Sequence, residues 1–457
     1  MNATYSYTHC RFGVATRDVT PPVGIYARSW GAATHDTAEG VHRPFAATAA
    51  VFAPIDGDEP TLALVAVDLG WFQHAPDEAE LRATILRRTG LDDAALLINM
   101  SHTHAGANNN SQLADLPGTE LIQPYLEHLT EQIGAAILEA RDALAPAWVT
   151  YGTGRCALAA NRDFWDAEGE RFAAGYNPGA PADDTLLVAR VTGEDGELRA
   201  TLFNYACHPT TLAWENRLLS PDYIGAAREV LEKAFGAPAL FLQGASGELA
   251  PRDDYVGDTA VADRNGRQLG HAAAAAIESL PPPGTRFVYT GIVASGANLG
   301  TWAYDQCQPE QVQAGKQLAA TVSHVPLRRK EEMGVVDSLA SPDSRQEQEK
   351  ALRRRYLSQA LGDDPVFQMP VWTWRLGEAL LVAIPNEPYS VLQVELRKRF
   401  AGTPLLVLGV TNRTMGYLSP AETYGTGLYQ EQQSPFAPGC LEQTIEVAAG
   451  ALDELRP

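Results

Sequence analysis

The sequence predicts an α/β protein with mixed β-sheets flanked by helices. Two observations carry that prediction. Short, predominantly apolar runs recur along the 457-residue chain, and stretches of helical periodicity lie between them. Strands covered on both faces need continuous apolar runs, and their alternation with helices is the pattern of α/β folds. A hairpin late in the chain makes the sheets mixed.

Strands are expected at 61–68 (TLALVAVD), 95–100, 185–191, 201–206, 239–243, 379–384 and 405–411. Leu126, Leu129, Ile133 and Ile137 fall at helical spacing after Pro124, a residue suited to a first turn. A second helix, 224–235, is closed by Gly236, and a third covers about 259–280. Gly377-Glu378 joins two strand-like runs in the expected hairpin. Ser341-Pro342 reads as a helix start, and the charge-dense segment to Leu361 as a solvated helix. Without an internal repeat or a long linker, residues 1–457 are expected to form a single catalytic domain.

Charge excludes several function classes. Lys and Arg number 35 against 56 Asp and Glu, a net charge of −21. Nucleic-acid binding needs clustered cations, so no nucleic-acid partner is expected. No 18-residue apolar run exists, so neither a spanning helix nor stable membrane association is expected. The start MNATYSYTHCRFGVATRD lacks the basic and apolar regions of a secretory signal. Cys10, Cys156, Cys207, Cys307 and Cys440 are odd in number, widely spaced and form no CxxC. That usage suits a reducing compartment, so a cytoplasmic location is expected, with a small-molecule substrate and room for a homo-oligomer.

The chemistry gathers where apolar strands end. Leu96-Leu-Ile-Asn-Met runs into His102-Thr-His104, and in an extended chain residues i and i+2 share a face. Two imidazoles on one side suit a borderline metal such as zinc. A second strand delivers His208, stopped at once by Pro209, with Asn204 as a supporting donor and Cys207 as a buried thiol. A third leads from Gln243 through Gly244-Ala-Ser-Gly to Glu248 and Arg252. That turn is neither a P-loop, lacking Gly-Lys-Ser/Thr, nor a nucleophile elbow, because Glu248 stands where the last Gly belongs. A fourth ends in Pro385-Asn-Glu387-Pro388, a rigid carboxylate corner, and a fifth in Asn412 and Tyr417.

Together these segments resemble the N-terminal catalytic domain of the neutral (non-lysosomal) ceramidase family. The elements that carry the resemblance run in order: Gly13-Val-Ala-Thr-Arg-Asp-Val-Thr-Pro21, Gly40-Val-His42, the His-Thr-His segment followed by Ala-Gly, His208, Gln243 to Pro251, Pro385-Asn-Glu387 and Gly416-Tyr-Leu-Ser-Pro420. They span about residues 10 to 445. The resemblance implies one zinc held by His102, His208, Glu387 and Tyr417. It places His104 and Arg162, in Ala160-Asn161-Arg162, toward substrate or a developing oxyanion, with Tyr417 also near the chemistry. Asn161, Gln243, Glu248, Arg252 and Asn412 are the expected substrate-binding residues. The chain departs from the family at Glu248-Leu-Ala250-Pro251, where members usually carry Asp-Val-Ser-Pro, and Ala250 has no hydroxyl. It is also expected to lack the family's C-terminal immunoglobulin-like domain.

The expected function is a zinc-dependent hydrolase that uses metal-activated water on an N-acyl amide, ceramidase-like or smaller. Such chemistry needs no protein nucleophile and tolerates Ala250. A carbohydrate substrate is the alternative enzyme class, with Trp30, Trp165, Trp214 and Trp302 available for stacking, although these read first as core aromatics. A non-catalytic zinc-stabilised protein is the third reading. Structural zinc sites draw on Cys and His close in sequence, whereas these ligands span His102 to Tyr417.

Overall fold

The computed structural model describes residues 5–330 and 344–456. The helix start expected at Ser341-Pro342 lies outside the described residues. Eight strands form the larger sheet: β1 (Tyr7–Asp18), β2 (Ala46–Ala53), β3 (Leu62–Val67), β4 (Leu96–Met100), β5 (Ala145–Arg155), β6 (Thr185–Gly193), β7 (Leu198–Tyr205) and β8 (Ala239–Gln243). Their spatial order is β8-β7-β6-β5-β1-β2-β3-β4. The two outermost pairs, β3–β4 and β7–β8, are parallel, and the others are antiparallel. A smaller sheet joins β9 (Leu318–Arg328), β10 (Val366–Leu376), β11 (Ala379–Ala383) and, beyond a short β12 (Glu387–Pro388), β13 (Leu405–Leu408). β12 pairs in parallel with β14 (Tyr417–Leu418).

The strand runs are mostly apolar because each has two faces to bury. Along β3, Leu62, Leu64 and Ala66 enter one core while Ala63, Val65 and Val67 enter another. The first core also holds Trp374, Leu381 and Leu408 of the smaller sheet, so the two sheets pack face to face. Helices α1 (Ala75–Thr89) and α2 (Ile122–Asp142) cover one half of the larger sheet's outer face. Helices α3 (Tyr223–Phe235) and α4 (Thr259–Glu278) cover the other half. Beyond α5 (Arg345–Leu361), α6 (Val391–Arg399) and α7 (Cys440–Glu454) cover the smaller sheet. Helix α3 starts where the Asp222 carboxylate accepts the Tyr223 N–H, and it ends at left-handed Gly236.

Two buried asparagines bring distant strand ends together. Asn99 donates to the Gly409 carbonyl at 2.8 Å and to Thr411 Oγ1 at 2.9 Å, and accepts the Gln243 N–H at 2.8 Å. Asn204 donates to the carbonyls of Leu242 and Val407 at 2.9 and 3.0 Å. The C-terminal ends of β4, β7, β8 and β13 are thereby fastened side by side, although β4 and β8 are opposite edges of one sheet. A buried amide that lost these partners would be left unsatisfied, so the register is strongly specified.

Two expectations need correction. Trp165, Trp214 and Trp302 are 48%, 37% and 42% exposed and are not core aromatics. Trp302 stands on a two-stranded hairpin, Thr285–Ala294 with Asn298–Gln306, most of whose residues are exposed on both faces. Helix α5 is not solvated all round, because Glu349, Tyr356 and Leu361 on it are buried. Among the described residues, no helix is long and apolar enough to cross a membrane. All five cysteines are free and buried.

Candidate functional site

The fastened strand ends deliver the site. His102 follows β4, but not as an extended residue. Its φ is +67°, so the strand has ended and the chain turns through the left-handed region. The shared-face argument for His102 and His104 therefore fails locally, yet the two rings still meet, with centroids 5.1 Å apart. The turn packs tightly on its neighbour: a Cβ at Gly70 would lie 2.8 Å from the Thr103 carbonyl oxygen. The Gly70 carbonyl in turn accepts from His102 Nδ1 at 3.3 Å.

His208 follows β7 and is fully buried. Its Nδ1 faces the carbonyls of Ser246 at 2.6 Å and Leu249 at 3.2 Å. A carbonyl only accepts, so the proton of each neutral ring sits on Nδ1 and each Nε2 presents a lone pair. Burial, then the Arg162 charge, push His208 down to about 4, which keeps it neutral. Both Nε2 atoms point at one carboxylate oxygen. Glu387 Oε2 is 3.1 Å from His102 Nε2 and 3.1 Å from His208 Nε2.

Tyr417 arrives across the β12–β14 pair, directly opposite Glu387 in register. Its Oη lies 3.4 Å from His208 Nε2. Arg162 lies above these groups, held by Gly247 whose carbonyl it contacts through Nη2 at 2.6 Å and Nε at 3.2 Å. The same Nη2 donates to Tyr417 Oη at 3.1 Å. Arg162 is positioned by a short ladder in which Ala159–Asn161 pairs with Leu249–Pro251. Ala250, the departure from the family turn, is a buried rung of that ladder.

His104 occupies a different place. Neither of its ring nitrogens has a hydrogen-bond partner among the described residues. Its ring is 4.7 Å from that of Trp71 and 5.2 Å from that of Trp30. Burial and the neighbouring His102, His208 and Arg353 push it well below its ordinary value, so it is neutral. His102, His104 and His208 bring ligand atoms within 4.8 Å of one another, a group able to hold a metal ion.

Two cavities meet at His104. One, of about 500 Å³, is lined by Phe72, Pro76, Leu357 and Met415 together with His102 and Glu387. The other, of about 420 Å³, lies beside Trp30, Arg162, Trp214 and Tyr255. Both reach Arg353, Tyr417 and Tyr429.

The structure brings His102, His104, Arg162, His208, Glu387 and Tyr417 together. It does not bring the expected substrate-binding set to either cavity. Gln243 is buried and donates to the Cys207 carbonyl and Ser246 Oγ. Glu248 is buried and accepts from Ser390 N–H and Oγ. Asn412 accepts from Ile98 N–H and Arg82, each at 2.8 Å. Asn161 accepts the Asp163 N–H at 2.9 Å. Arg252 is exposed and 3.7 Å from Asp253. Four of these five brace the turns that carry the site.

Sequence reasoning missed Trp71, Arg353 and Tyr429. Trp71 had a readable signal, since it lies just beyond the apolar strand β3, in the same kind of strand-end position as His102 and His208. Tyr429 opens a five-residue helical turn with no periodicity to betray it.

Comparisons with known proteins bear on the family and the fold. The family model for the N-terminal part of neutral/alkaline non-lysosomal ceramidases matches residues 10–251. A neutral ceramidase of Pseudomonas aeruginosa is 25% identical over 251 residues, 53% of this chain and 37% of that protein. The match thus spans little more than a third of the curated relative. A solved ceramidase complexed with C2 superposes with a TM-score of 0.70 at 18% identity, covering 99% of this chain and 76% of that one. The solved neutral ceramidase from Pseudomonas aeruginosa gives 0.69 at 18% identity over the same shares. The chain belongs to the neutral/alkaline non-lysosomal ceramidase family, through its N-terminal domain, and has the α/β fold of those structures.

Proposed function

We propose that this chain is a zinc-dependent hydrolase that cleaves an N-acyl amide bond. One observation carries the metal: His102 Nε2, His208 Nε2 and Glu387 Oε2, all acceptors when the rings are neutral, converge at 3.1 Å. Acceptors repel one another unless a cation lies among them. A tetrahedron with ligands about 2.0–2.1 Å from its centre has edges of about 3.3 Å, which matches 3.1 Å and the 3.4 Å from Tyr417 Oη. Nitrogen and oxygen donors without sulfur suit zinc. The backbone carbonyls on both Nδ1 atoms are the outer partners that orient such ligands.

His102, His208, Glu387 and Tyr417 would hold the ion. Bound there, zinc would polarise the scissile carbonyl and lower the pKa of a water to about 7. His104, neutral and without a protein partner, is free to take a proton from the attacking water and return one to the leaving amine. Arg162 is fixed by Gly247 and offers a buried positive charge where a carbonyl oxygen gains negative charge. Two cavities joined at His104 fit an amide, which has a group on each side of the bond that breaks.

The test is turnover of fluorogenic N-acyl amides by the purified chain, with a panel of glycosides beside them. Chelation should abolish amide cleavage and zinc should restore it. Cleavage of glycosides alone would move the activity to the carbohydrate class; amide cleavage unaffected by chelation would remove the metal from the mechanism.

A further inference from the structure

The two cavities are chemically unlike, and the difference bears on the substrate. The larger one is walled by Phe72, Pro76, Leu357, Ala360 and Met415, and its acidic and basic side chains are equal in number, Glu78 and Glu387 against Arg353 and Arg413, with Glu78 3.6 Å from Arg413. The second is not balanced. Its charged lining is Arg162, Lys350 and Arg353 against the single carboxylate of Glu349. That carboxylate is already engaged: Arg353 Nε donates to it at 3.1 Å, and Arg28 lies 3.8 Å away. Lys350 has no ion pair among the described residues. This concentration of cations occurs in a protein of net charge −21.

Arg353 spends only part of its donor capacity on protein partners. It donates to Glu349, to Tyr429 Oη at 3.1 Å and to the Ser29 carbonyl at 2.6 Å. A guanidinium carries five N–H groups, so two remain. Its charged plane also lies 5.5 Å over the Trp71 ring, which sets its orientation. Arg162, Arg353 and Lys350 thus line one wall of a chamber whose other walls are Trp30, Trp214 and Tyr255. Apolar rings lower the local dielectric and strengthen any charge pair formed against them.

Resting on the amidase reading above, we propose that the second cavity takes the amine side of the substrate and that this side carries a carboxylate or another single anionic group. The acyl chain then lies in the apolar cavity, where burial of methylenes is favourable. His104 and Tyr417, common to both cavities, stand at the junction where the amide would sit. The substrate class is an N-acyl amino acid or its equivalent, and not a neutral sphingoid amide.

The test uses N-dodecanoylglycine and N-dodecanoylethanolamine, which share a chain and differ in a carboxylate against a hydroxyl. Binding to the metal-free chain is measured by calorimetry, and cleavage by the zinc-loaded chain is measured separately. The carboxylate should bind roughly tenfold or more tightly than the alcohol, as charge-assisted hydrogen bonds to Arg and Lys imply. Lys350→Glu should collapse that ratio toward one. Equal binding of the two, or a ratio untouched by Lys350→Glu, overturns the anionic class. Preferential binding of the carboxylate with no cleavage of either compound would leave the cationic chamber standing and defeat the amidase reading. Cleavage of both with no preference would do the reverse.

Discussion

Replacing His104 with Ala should separate metal binding from turnover. The ring contributes no hydrogen bond to the protein, since both nitrogens lack partners among the described residues. Its loss therefore breaks no network. What the fold loses is contact with Trp71 and Trp30, at centroid distances of 4.7 and 5.2 Å. A partly buried truncation of this kind costs about 1–3 kcal/mol, within the margin of an ordinary domain. Zinc should be retained, because Glu387 Oε2 remains 3.1 Å from both His102 Nε2 and His208 Nε2. Turnover should fall by about 10² to 10⁴-fold, or about 3–5 kcal/mol of barrier, the usual loss when a general acid–base group is removed. The assay is metal content by mass spectrometry beside kcat and KM on the same preparation. His102→Ala is the contrast: it should lose metal and activity together. If His104→Ala loses zinc as completely as His102→Ala, both histidines coordinate and the division of roles is wrong. Near-normal turnover per folded molecule would make His104 structural.

Arg162→Ala should keep its zinc and lose about 10²-fold in kcat, the cost of one charge-stabilising donor; unchanged kcat would place the oxyanion elsewhere. Removing metal should leave the far-ultraviolet circular dichroism unchanged, because the core clusters include none of the proposed ligands, while excess zinc should raise the melting temperature by mass action. Loss of the helical signal on chelation would make the metal structural. Gly266→Ala should destabilise the fold by about 1–3 kcal/mol in urea unfolding, since a Cβ there overlaps the Tyr223 carbonyl and lies 2.7 Å from the Ala226 methyl, forcing α3 and α4 apart. Burial pushes Glu78 up to about 7 against the opposing charges of Arg413 and Arg82. A folded-state value above the unfolded one means that its contribution is full below about pH 4.5 and is lost as pH rises through 7, so Glu78→Gln should flatten stability between pH 5 and 8. An unchanged pH slope in that variant would assign the dependence to other groups.

What the sequence made legible, and what it hid, follows from how each residue is held. The strand runs were readable because burial on both faces leaves few polar positions within them, as β3 shows with six buried residues in succession. The candidate ligands were readable because each closes such a run, and Gly or Pro marks the turn. The convergence itself was not readable from spacing: His102 turns through positive φ, and the ends of β4 and β8 meet only because Asn99 ties them. Polar residues beside the turns were misplaced for a related reason. Gln243, Glu248 and Asn412 are polar in a strand-end setting, which is the signature of a ligand contact and equally of a brace that satisfies turn backbone. Helix α5 was the hardest case. A helix that packs against a protein is recognised by an apolar stripe, and this one presents Glu349, Arg353 and Tyr356 inward instead. Its inner face is polar because it borders a site and not a core, so binary patterning reads it as solvent. Where a charge-dense helix places a carboxylate and a guanidinium four residues apart and both are withdrawn from water, the pair is holding something in position; here that is the Arg353 guanidinium over Trp71, beside His104.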